Sequence, residues 1–308
     1  MDIDKKLLPH PLLKWVGGKQ KHIQHIINKF PNKMNNYHEP FIGGGSVLLA
    51  LLWCQQNSKI IIKGSINAYD FNLPLISMYN NIKNSPKEVY KELSKIITEY
   101  HELSEEKGNK KPKTKEEGLT CKESYYYWIR KQYNEMKDKT TLLASAYFIF
   151  MNKTGFRGMY REGPNGMNIP CGHYYTINLS EYDILKFSEL IQGVTFIHSD
   201  FSESLKKVSP DDFVYLDPPY APEDEKSFVG YNKEGFDLNQ HKKLFTMCNE
   251  LPIGSKFMMS NANVPLIREH LRDYIYTYHV ISCRRAINSK NPGAKTEEVV
   301  IINYQGDS

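Results

Sequence analysis

The sequence contains no uncharged apolar run long enough to span a bilayer, and Met1-Asp2-Ile3-Asp4-Lys5-Lys6 at its start carries no apolar leader core. A membrane-spanning or exported protein is therefore disfavoured, and a soluble intracellular protein without a targeting signal is expected. Its five cysteines, Cys54, Cys121, Cys171, Cys248 and Cys283, fall at no paired spacing, which argues against a disulfide framework and a zinc knuckle. No metal site is expected. The spaced three-glycine fingerprint of dinucleotide binding is also missing, because the glycine-rich stretch reads Phe41-x-Gly43-x-Gly45. Neither sign of charge dominates: a net charge of +5 and a pI near 8.7 favour a polyanionic partner without requiring one. At 308 residues the chain can bury a full core as one large domain with an insertion, or as two domains.

Against these absences stands one dense motif. The apolar run Phe213-Val214-Tyr215-Leu216 ends in Asp217-Pro218-Pro219-Tyr220, followed by Ala221-Pro222-Glu223-Asp224, so a buried strand is expected to end there in a rigid loop. Successive prolines fix backbone torsions and bring no amide hydrogens. Their carbonyls and the Asp217 carboxylate make a stiff wall of acceptors. Such a wall suits an amino group, and Tyr220 offers a flat ring on which a planar heterocycle bearing that amine can stack. The stretch proposes an extruded nucleobase as substrate. Taken alone, the tetrapeptide also suits an acidic turn closing a strand.

Upstream, Tyr37-His38-Glu39-Pro40-Phe41-Ile42-Gly43-Gly44-Gly45-Ser46 runs into Val47, Leu48, Leu49, Leu51 and Leu52, the order strand, glycine loop, helix. Glycines at such a turn let the backbone approach a ligand, as in folds that bind nucleotides at the carboxyl edge of a parallel sheet. The β-rich segment Lys59 to Asp70 ends in a carboxylate where ribose hydroxyls are normally accepted, although Asp70 also suits a strand-ending turn. Ahead of both, Lys14-Trp15-Val16-Gly17-Gly18-Lys19 opens a helical pattern with a cation, which fits either an anion site or a surface lysine on a first turn.

From about Asn72 the texture is helical, with patterns over Pro86 to Glu102, Lys122 to Lys137 and Leu142 to Phe150. The charged run Glu105 to Glu117 holds no apolar residue and is expected to be a solvated, mobile loop. The stretch Asn152 to Pro170, with recurring glycines, Lys153, Arg157, Arg161 and several asparagines, reads as a β-hairpin with a polar, positively charged tip able to read base edges. The α/β texture then returns. Val194-Thr195-Phe196-Ile197 ends in Ser199-Asp200-Phe201, where Asp200 also fits a helix cap. An aromatic and polar loop from Phe228 to Phe236, a helix from Leu238 to Leu251, a strand from Lys256 to Asn261 and a terminal hairpin of Tyr276 to Ser282 with Glu298 to Tyr304 follow. The connection of that hairpin carries Arg284, Arg285, Lys290 and Lys295, suited to phosphate contact or to a solvated loop.

Taken in series, Lys14 to Lys19, Glu39-Pro40-Phe41-Ile42-Gly43-Gly44-Gly45, Ser199-Asp200-Phe201 and Asp217-Pro218-Pro219-Tyr220 resemble the Dam-type DNA adenine-N6 methyltransferases, over nearly the whole chain. Their order is that of the family's alpha group. The resemblance implies an α/β, Rossmann-like, seven-strand sheet that uses S-adenosylmethionine. Residues 1–72 and 191–308 would form the catalytic domain, and 73–190 an inserted helical target-recognition domain with a DNA-reading hairpin over about 153–175. It implies that Trp15, Gly17, Lys19, Glu39, Phe41, Gly43, Gly45, Asp70, Asp200, Phe201 and Asp217 hold the cofactor, with Asp200 at its exocyclic amine and Phe201 on its adenine face. Lys14, Lys153, Arg157, Arg161, Asn165, Asn168 and Pro170 would meet DNA, the loop before Leu238 would close on the flipped base, and Asp217, Pro218, Pro219 and Tyr220 would be catalytic.

The match is clear at Asn152, Arg161, Asn168 and Pro170. It departs inside Glu162-Gly163-Pro164-Asn165, where GATC-reading members commonly place an arginine, so the recognition sequence does not carry over. A short palindrome such as GATC or CATG is expected. Aspartate at position 217 favours adenine in DNA, whereas asparagine would have admitted protein glutamine or RNA. Double-stranded DNA is the expected partner, and a cognate restriction endonuclease acting on the same sites is a candidate one. Two other readings compete: a catalytically silent DNA-binding protein on the same scaffold, which intact Asp217 and Tyr220 speak against, and a nucleotide-dependent oxidoreductase, which nicotinamide binding would reveal.

Overall fold

The structure is a computed structural model that describes residues 3–222, 236–272, 275–284 and 295–305. In chain order, α1 (Ile23–Ile27) and β1 (Lys33–Met34) precede β2 (Tyr37–Glu39), α2 (Ser46–Gln56), β3 (Ile61–Ile62) and β4 (Ile66–Asp70). Helices α3 (Leu73–Asn84), α4 (Pro86–His101), α5 (Lys115–Gly118), α6 (Lys122–Glu135) and α7 (Leu142–Thr154) follow, then the short strands β5 (Glu162–Gly163) and β6 (Gly166–Met167) and helix α8 (Glu181–Leu190). The remainder is β7 (Val194–His198), α9 (Phe201–Leu205), β8 (Phe213–Leu216), α10 (Leu238–Asn249), β9 (Lys256–Ala262), α11 (Pro265–His270), β10 (Thr277–Arg284) and β11 (Lys295–Ile302).

Seven strands form the central sheet, in the order β10-β11-β9-β8-β2-β4-β7. The run from β9 to β7 is parallel, and β11 and β10 join it antiparallel. This agrees with the expected methyltransferase sheet, terminal hairpin included. β8 is buried along its whole length, as a strand covered by helices on both faces must be. The β-rich segment before Asp70 divides in two: β3 pairs with β1 in a separate two-stranded sheet, and Lys63-Gly64-Ser65 breaks the run before β4.

Local chemistry sets the helix starts. Asn72 caps α3 by accepting the Leu75 amide at 2.9 Å, Thr141 caps α7, and Ser180 with Asp183 forms a reciprocal capping box on α8. Helix α3 packs on β4 and β7, while α4, α6 and α7 pack against one another. Side chains of this helical layer and of the sheet belong to one continuous apolar core.

The charged run after α4 is exposed as expected, yet its backbone is tied to the start of α6. Gly108 N donates to Glu123 Oε2 at 2.9 Å, Asn109 N to Ser124 Oγ at 2.8 Å, and Lys122 N to the Ser104 carbonyl at 2.9 Å. Composition alone could not reveal partners on another element. The hairpin also differs from its expected form: β5 and β6 are two residues each, and the pairing continues only through isolated bonds such as Phe156 N to Pro170 O and Asn168 N to Arg161 O. Glycine and proline throughout this stretch deny it a longer ladder. Residues 228–235 of the aromatic loop, together with Arg285 and Lys290, lie outside the described residues. Among the described residues, Cys54, Cys121, Cys171 and Cys248 are buried and unpaired, and no helix is long and apolar enough to cross a membrane.

A buried polar knot ties β8 to β2. Asp212 Oδ1 accepts from Asn36 N (2.9 Å), Asn36 Nδ2 (2.9 Å) and Asn35 Nδ2 (3.0 Å), while Oδ2 accepts from Ser209 N (2.9 Å) and meets His38 Nε2 at 3.2 Å. His38 Nδ1 lies 3.1 Å from Tyr69 Oη. Burial pushes the Asp212 carboxyl up, but these donors outweigh it and hold the group below the ordinary carboxylate range. Burial holds the His38 imidazole below its ordinary value despite Asp212.

Both shifts have the same sign for stability. A depressed carboxyl contributes stability that is complete above its unfolded value and is lost as pH falls through the folded one. A buried neutral imidazole loses ground once the unfolded chain takes up a proton, below about 6.5. Stability measured by denaturant titration is therefore expected to fall steadily on acidification below that pH. Asp212→Ala should cost at least about 1–3 kcal/mol at neutral pH and flatten the acid slope; an unaltered slope would remove the knot from the acid response.

Candidate active site

The strand order reverses between β2 and β8, and it is the carboxyl ends of strands beside this switch point that carry the motifs. β2 ends at Glu39, β4 at Asp70, β7 runs into Ser199-Asp200-Phe201 and β8 into Asp217. Open α/β sheets bind ligands in this crevice.

Lys19, only 5% exposed, lies among the acids. Its Nζ is 2.7 Å from Asp217 Oδ1, donates to the Gly17 carbonyl at 2.5 Å and stands 4.9 Å from the centre of the Tyr220 ring. Its backbone amide donates to Ser46 Oγ at the start of α2. Burial raises the pKa of Asp217; the Lys19 ammonium opposes that rise and the Glu298 carboxylate adds to it. Burial likewise carries Glu39 up to about 8, against the hydrogen bond it accepts from Tyr37 Oη at 2.7 Å and with a further push from Asp217 and Asp70. Asp70 is raised by burial too, although Asn72 N and Gly43 N donate to its oxygens at 2.9 and 3.0 Å. The crevice is thus rich in acceptors and sparing of positive charge.

The glycine loop is shaped by contacts that leave no room for side chains. At Gly43 (φ +48°) an added Cβ would stand 2.8 Å from Trp15 Cδ1, and at Gly45 (φ +73°) 2.8 Å from Tyr79 Oη. Tyr79 Oη donates to the Gly43 carbonyl at 3.0 Å. Phe41, Phe201 and Phe236 form a ring cluster with centroids 5.4–5.7 Å apart. Asp200 takes the helix-cap role, its Oδ1 accepting from Ser202 N at 2.9 Å. Phe71, 76% exposed directly after Asp70, is a surface the sequence reading missed; an aromatic placed after a strand-ending acid was its signal.

The proposed DNA-facing residues are joined to this crevice. Asn152 Oδ1 accepts the Lys14 amide at 2.9 Å, and its Nδ2 donates to the Lys14 carbonyl at 2.7 Å and to the Gly158 carbonyl at 3.0 Å. Next in sequence, Trp15 stacks on Tyr160 at 6.0 Å. Arg157 is exposed with φ +55°, and Arg161 is exposed but donates through Nε to Asn168 Oδ1 at 2.6 Å, so that pair also braces the hairpin. Asn165 and Pro170 are exposed; Lys153 is partly buried, and burial together with Lys14 lowers its pKa. Helix α6 grips the hairpin from behind: Asn134 pairs with both the amide and the carbonyl of Met167, and Arg130 and Tyr126 donate to the Ile169 carbonyl.

Around Tyr220 three side chains absent from the sequence reading converge. Tyr220 Oη donates to Glu298 Oε2 at 3.0 Å, Ala221 N donates to Asn261 Oδ1 at 3.0 Å, and His241 Nε2 lies 3.0 Å from the Pro219 carbonyl.

Chemically, the crevice offers a carboxylate and a tyrosine ring to a planar amine, while the Pro219 carbonyl, expected to face that amine, is turned to His241; Lys19 lowers the proton affinity that burial gives the carboxylate. Lys19→Met should therefore raise the Asp217 pKa further, read as a shift of its titration in carboxyl ¹³C NMR; an unmoved titration would show that Lys19 does not control it.

Comparison with known proteins agrees with this geometry. The family described as D12 class N6 adenine-specific DNA methyltransferase matches residues 15–287. The type II methyltransferase M.MjaIII of Methanocaldococcus jannaschii is 31% identical over 96% of this chain and 99% of its own. The DNA adenine methylase of Haemophilus influenzae is 28% identical over 96% and 94%, and the retron Ec67 DNA adenine methylase of Escherichia coli 28% over 95% and 90%. With the family matched over residues 15–287 and a mostly parallel central sheet that suits it, the chain belongs to the D12 class of N6 adenine-specific DNA methyltransferases.

Proposed function

We propose that the protein flips an adenine out of duplex DNA at a short specific site, such as GATC or CATG, and methylates its N6 from S-adenosylmethionine. The observation that carries this reading is the Asp217-Pro218-Pro219-Tyr220 turn at the switch point, its carboxylate buried beside Lys19.

The residues fit the cofactor. Glu39, Asp70 and Asp217 suit a ligand that brings a sulfonium, an ammonium and ribose hydroxyls, and the Asp70 and Asp217 carboxylates would disfavour the pyrophosphate of a nicotinamide dinucleotide. Trp15, Gly17, Gly43, Gly45 and Lys19 would enclose it, with Phe41, Asp200 and Phe201 on its adenine side. When bound, S-adenosylmethionine supplies an electrophilic methyl group activated by the positive sulfur.

The chain's own residues then act on the amine. An adenine N6 is a poor nucleophile because its lone pair is delocalised into the ring. If Asp217 and the Pro218 carbonyl each accept one amine hydrogen, the nitrogen moves toward tetrahedral geometry and its lone pair is freed along the transfer direction. Tyr220 offsets part of the cost of leaving the duplex by stacking. Residues 73–190 are assigned to target recognition, with Lys14, Lys153, Arg157, Arg161, Asn165, Asn168 and Pro170 toward DNA and residues 1–72 and 191–308 toward catalysis. Two of the relatives are named type II methyltransferases; a nuclease reading the same sites is the partner that reading suggests.

Sequencing DNA from an expressing host with a method sensitive to N6-methyladenine tests the function directly. Asp217→Ala should abolish transfer while leaving DNA binding largely intact; near-normal turnover would sink the mechanism. Intact DNA binding without methylation by the unaltered protein would favour the silent scaffold instead.

Because burial holds Glu39 near 8, it carries its proton at neutral pH, and a bound cation should expel it. Cofactor binding near pH 7 is therefore expected to release protons, seen as a binding enthalpy that changes with the buffer's ionisation enthalpy. Enthalpies independent of buffer would take Glu39 out of the site.

Removing a base contact in the hairpin should cost about 1–3 kcal/mol at one position of the site, whereas removing a phosphate contact should weaken all sequences alike. Affinity and target choice unchanged in Arg157→Ala, Arg161→Ala, Asn165→Ala and Asn168→Ala would refute the hairpin's role.

A further inference from the structure

We propose that His241, Asn261 and Glu298 are positioning residues that hold the ring of Tyr220 at the angle the reaction needs. The proposal rests on the methyl-transfer reading above and deepens it.

The need for outside support follows from the motif. Neither Pro218 nor Pro219 has an amide hydrogen, so this stretch cannot fix its own path by donating bonds, and the aromatic ring at its end would otherwise swing with the peptide units on either side. Each of those units is tied, and so is the ring's far end. On the N-terminal side, the Pro219 carbonyl lies 3.0 Å from His241 Nε2 and the Asp237 carbonyl at the start of α10 lies 2.9 Å from Nδ1; a neutral imidazole donates to one of the two, and the brace uses the tautomer with its proton on Nε2, toward Pro219. His241 is 1% exposed, so water does not compete for either contact.

On the C-terminal side, Asn261 Oδ1 accepts from Ala221 N at 3.0 Å and from Ala262 N at 2.9 Å. Two amide donors on one atom require that atom to be the oxygen, which settles the orientation of the amide. At the hydroxyl, Glu298 Oε2 accepts from Tyr220 Oη at 3.0 Å. Asn261 and Glu298 sit on paired strands, since β11 pairs with β9 with Glu298 opposite Ala262. The ring is thus held from α10, β9 and β11, elements anchored in the core, and sites built on such elements keep catalytic angles better than loops do.

None of these side chains need touch the adenine amine. Their contribution is the plane on which the base stacks, and errors in that plane are costly because transfer needs a narrow angle of approach.

The test is single-turnover methylation of a duplex with adenine at the target position, with rates normalised to active sites so that misfolded protein does not count, run beside a duplex carrying 2-aminopurine there, which has no 6-amino group and reports flipping by fluorescence alone. Glu298→Ala should lower the rate by roughly 10- to 100-fold and brighten the flipped analogue, whose stacking on Tyr220 is loosened. Affinities for S-adenosylmethionine and DNA should stay within about 3-fold. Glu298→Gln keeps an acceptor for the Tyr220 hydroxyl and removes the charge, so it should retain the wild-type rate within about 3-fold. His241→Gln keeps a donor toward Pro219 and should outperform His241→Leu by roughly tenfold or more.

A readout that needs no catalysis accompanies these rates. In fluorotyrosine-labelled protein, the Tyr220 ¹⁹F resonance, assigned with Tyr220→Phe, should be a single line that splits or broadens in Glu298→Ala. Wild-type rates per active site with an unaltered ¹⁹F line in Glu298→Ala would overturn the proposal, and so would a Glu298→Gln as impaired as the alanine variant, because charge rather than position would then be at work. A wild-type protein that methylates nothing would count against the function, while the ¹⁹F comparison would still decide the brace.

Discussion

Burying an ammonium and a carboxylate together is expensive, and the cost is recovered only where geometry is good and the remaining polar positions are filled. The Lys19 ammonium, paired with Asp217, meets that condition through arrangements that reach across the sheet's edge. The Gly17 turn supplies a carbonyl to the ammonium, Ser46 takes the Lys19 amide, and the Tyr220 ring stands beside the charge. Removing the cation would leave the Asp217 carboxylate without its counter-ion. The loop before α1, the first turn of α2 and the turn after β8 are therefore mutually dependent, and the glycine loop that Trp15 fills is fixed by the same assembly.

What could be read from the sequence were features that belong to residue types in short runs. Asp217-Pro218-Pro219-Tyr220 is rigid and rich in acceptors whatever surrounds it, and Gly43 and Gly45 signal positive torsions on their own. Apolar and β-rich runs likewise marked strands and the terminal hairpin, while the seven-strand sheet came from the family resemblance. What could not be read was pairing between distant side chains: Asn261 meets its partner across 40 positions and Glu298 across 78, and nothing local marks either as special. The Asp212 knot stayed hidden for the same reason. The charged run after α4 misled in the opposite direction, because its composition describes its side chains and says nothing of the Glu123 and Ser124 acceptors that hold its backbone.

Arg161 and Asn168, proposed to meet DNA, also brace the element that carries them. Paired at 2.6 Å, they stiffen a hairpin whose ladder is only two residues long on each side. Asn134, behind them, binds both backbone groups of Met167. Rigidity lowers the ordering cost of meeting DNA, since fewer rotamers are lost on contact. On its inner side the hairpin reaches the crevice through Asn152, Lys14 and Trp15, so the element proposed to face DNA and the wall of the glycine loop share one set of backbone bonds.

The order in which strands pair bears on how the molecule is made. β8 takes its place beside β2 through Tyr37 opposite Phe213, so the two strands flanking the crevice are separated by most of the chain. During synthesis β2 and β4 emerge long before their neighbours β8 and β7, and the backbone edge of β2 stays unpaired until residue 213 has left the ribosome. Long-range parallel pairing of this kind is slow and leaves strand edges exposed to other chains. The intervening helices pack on one another and can fold in that interval, and the crevice proposed to carry the chemistry is among the last parts of the protein to exist.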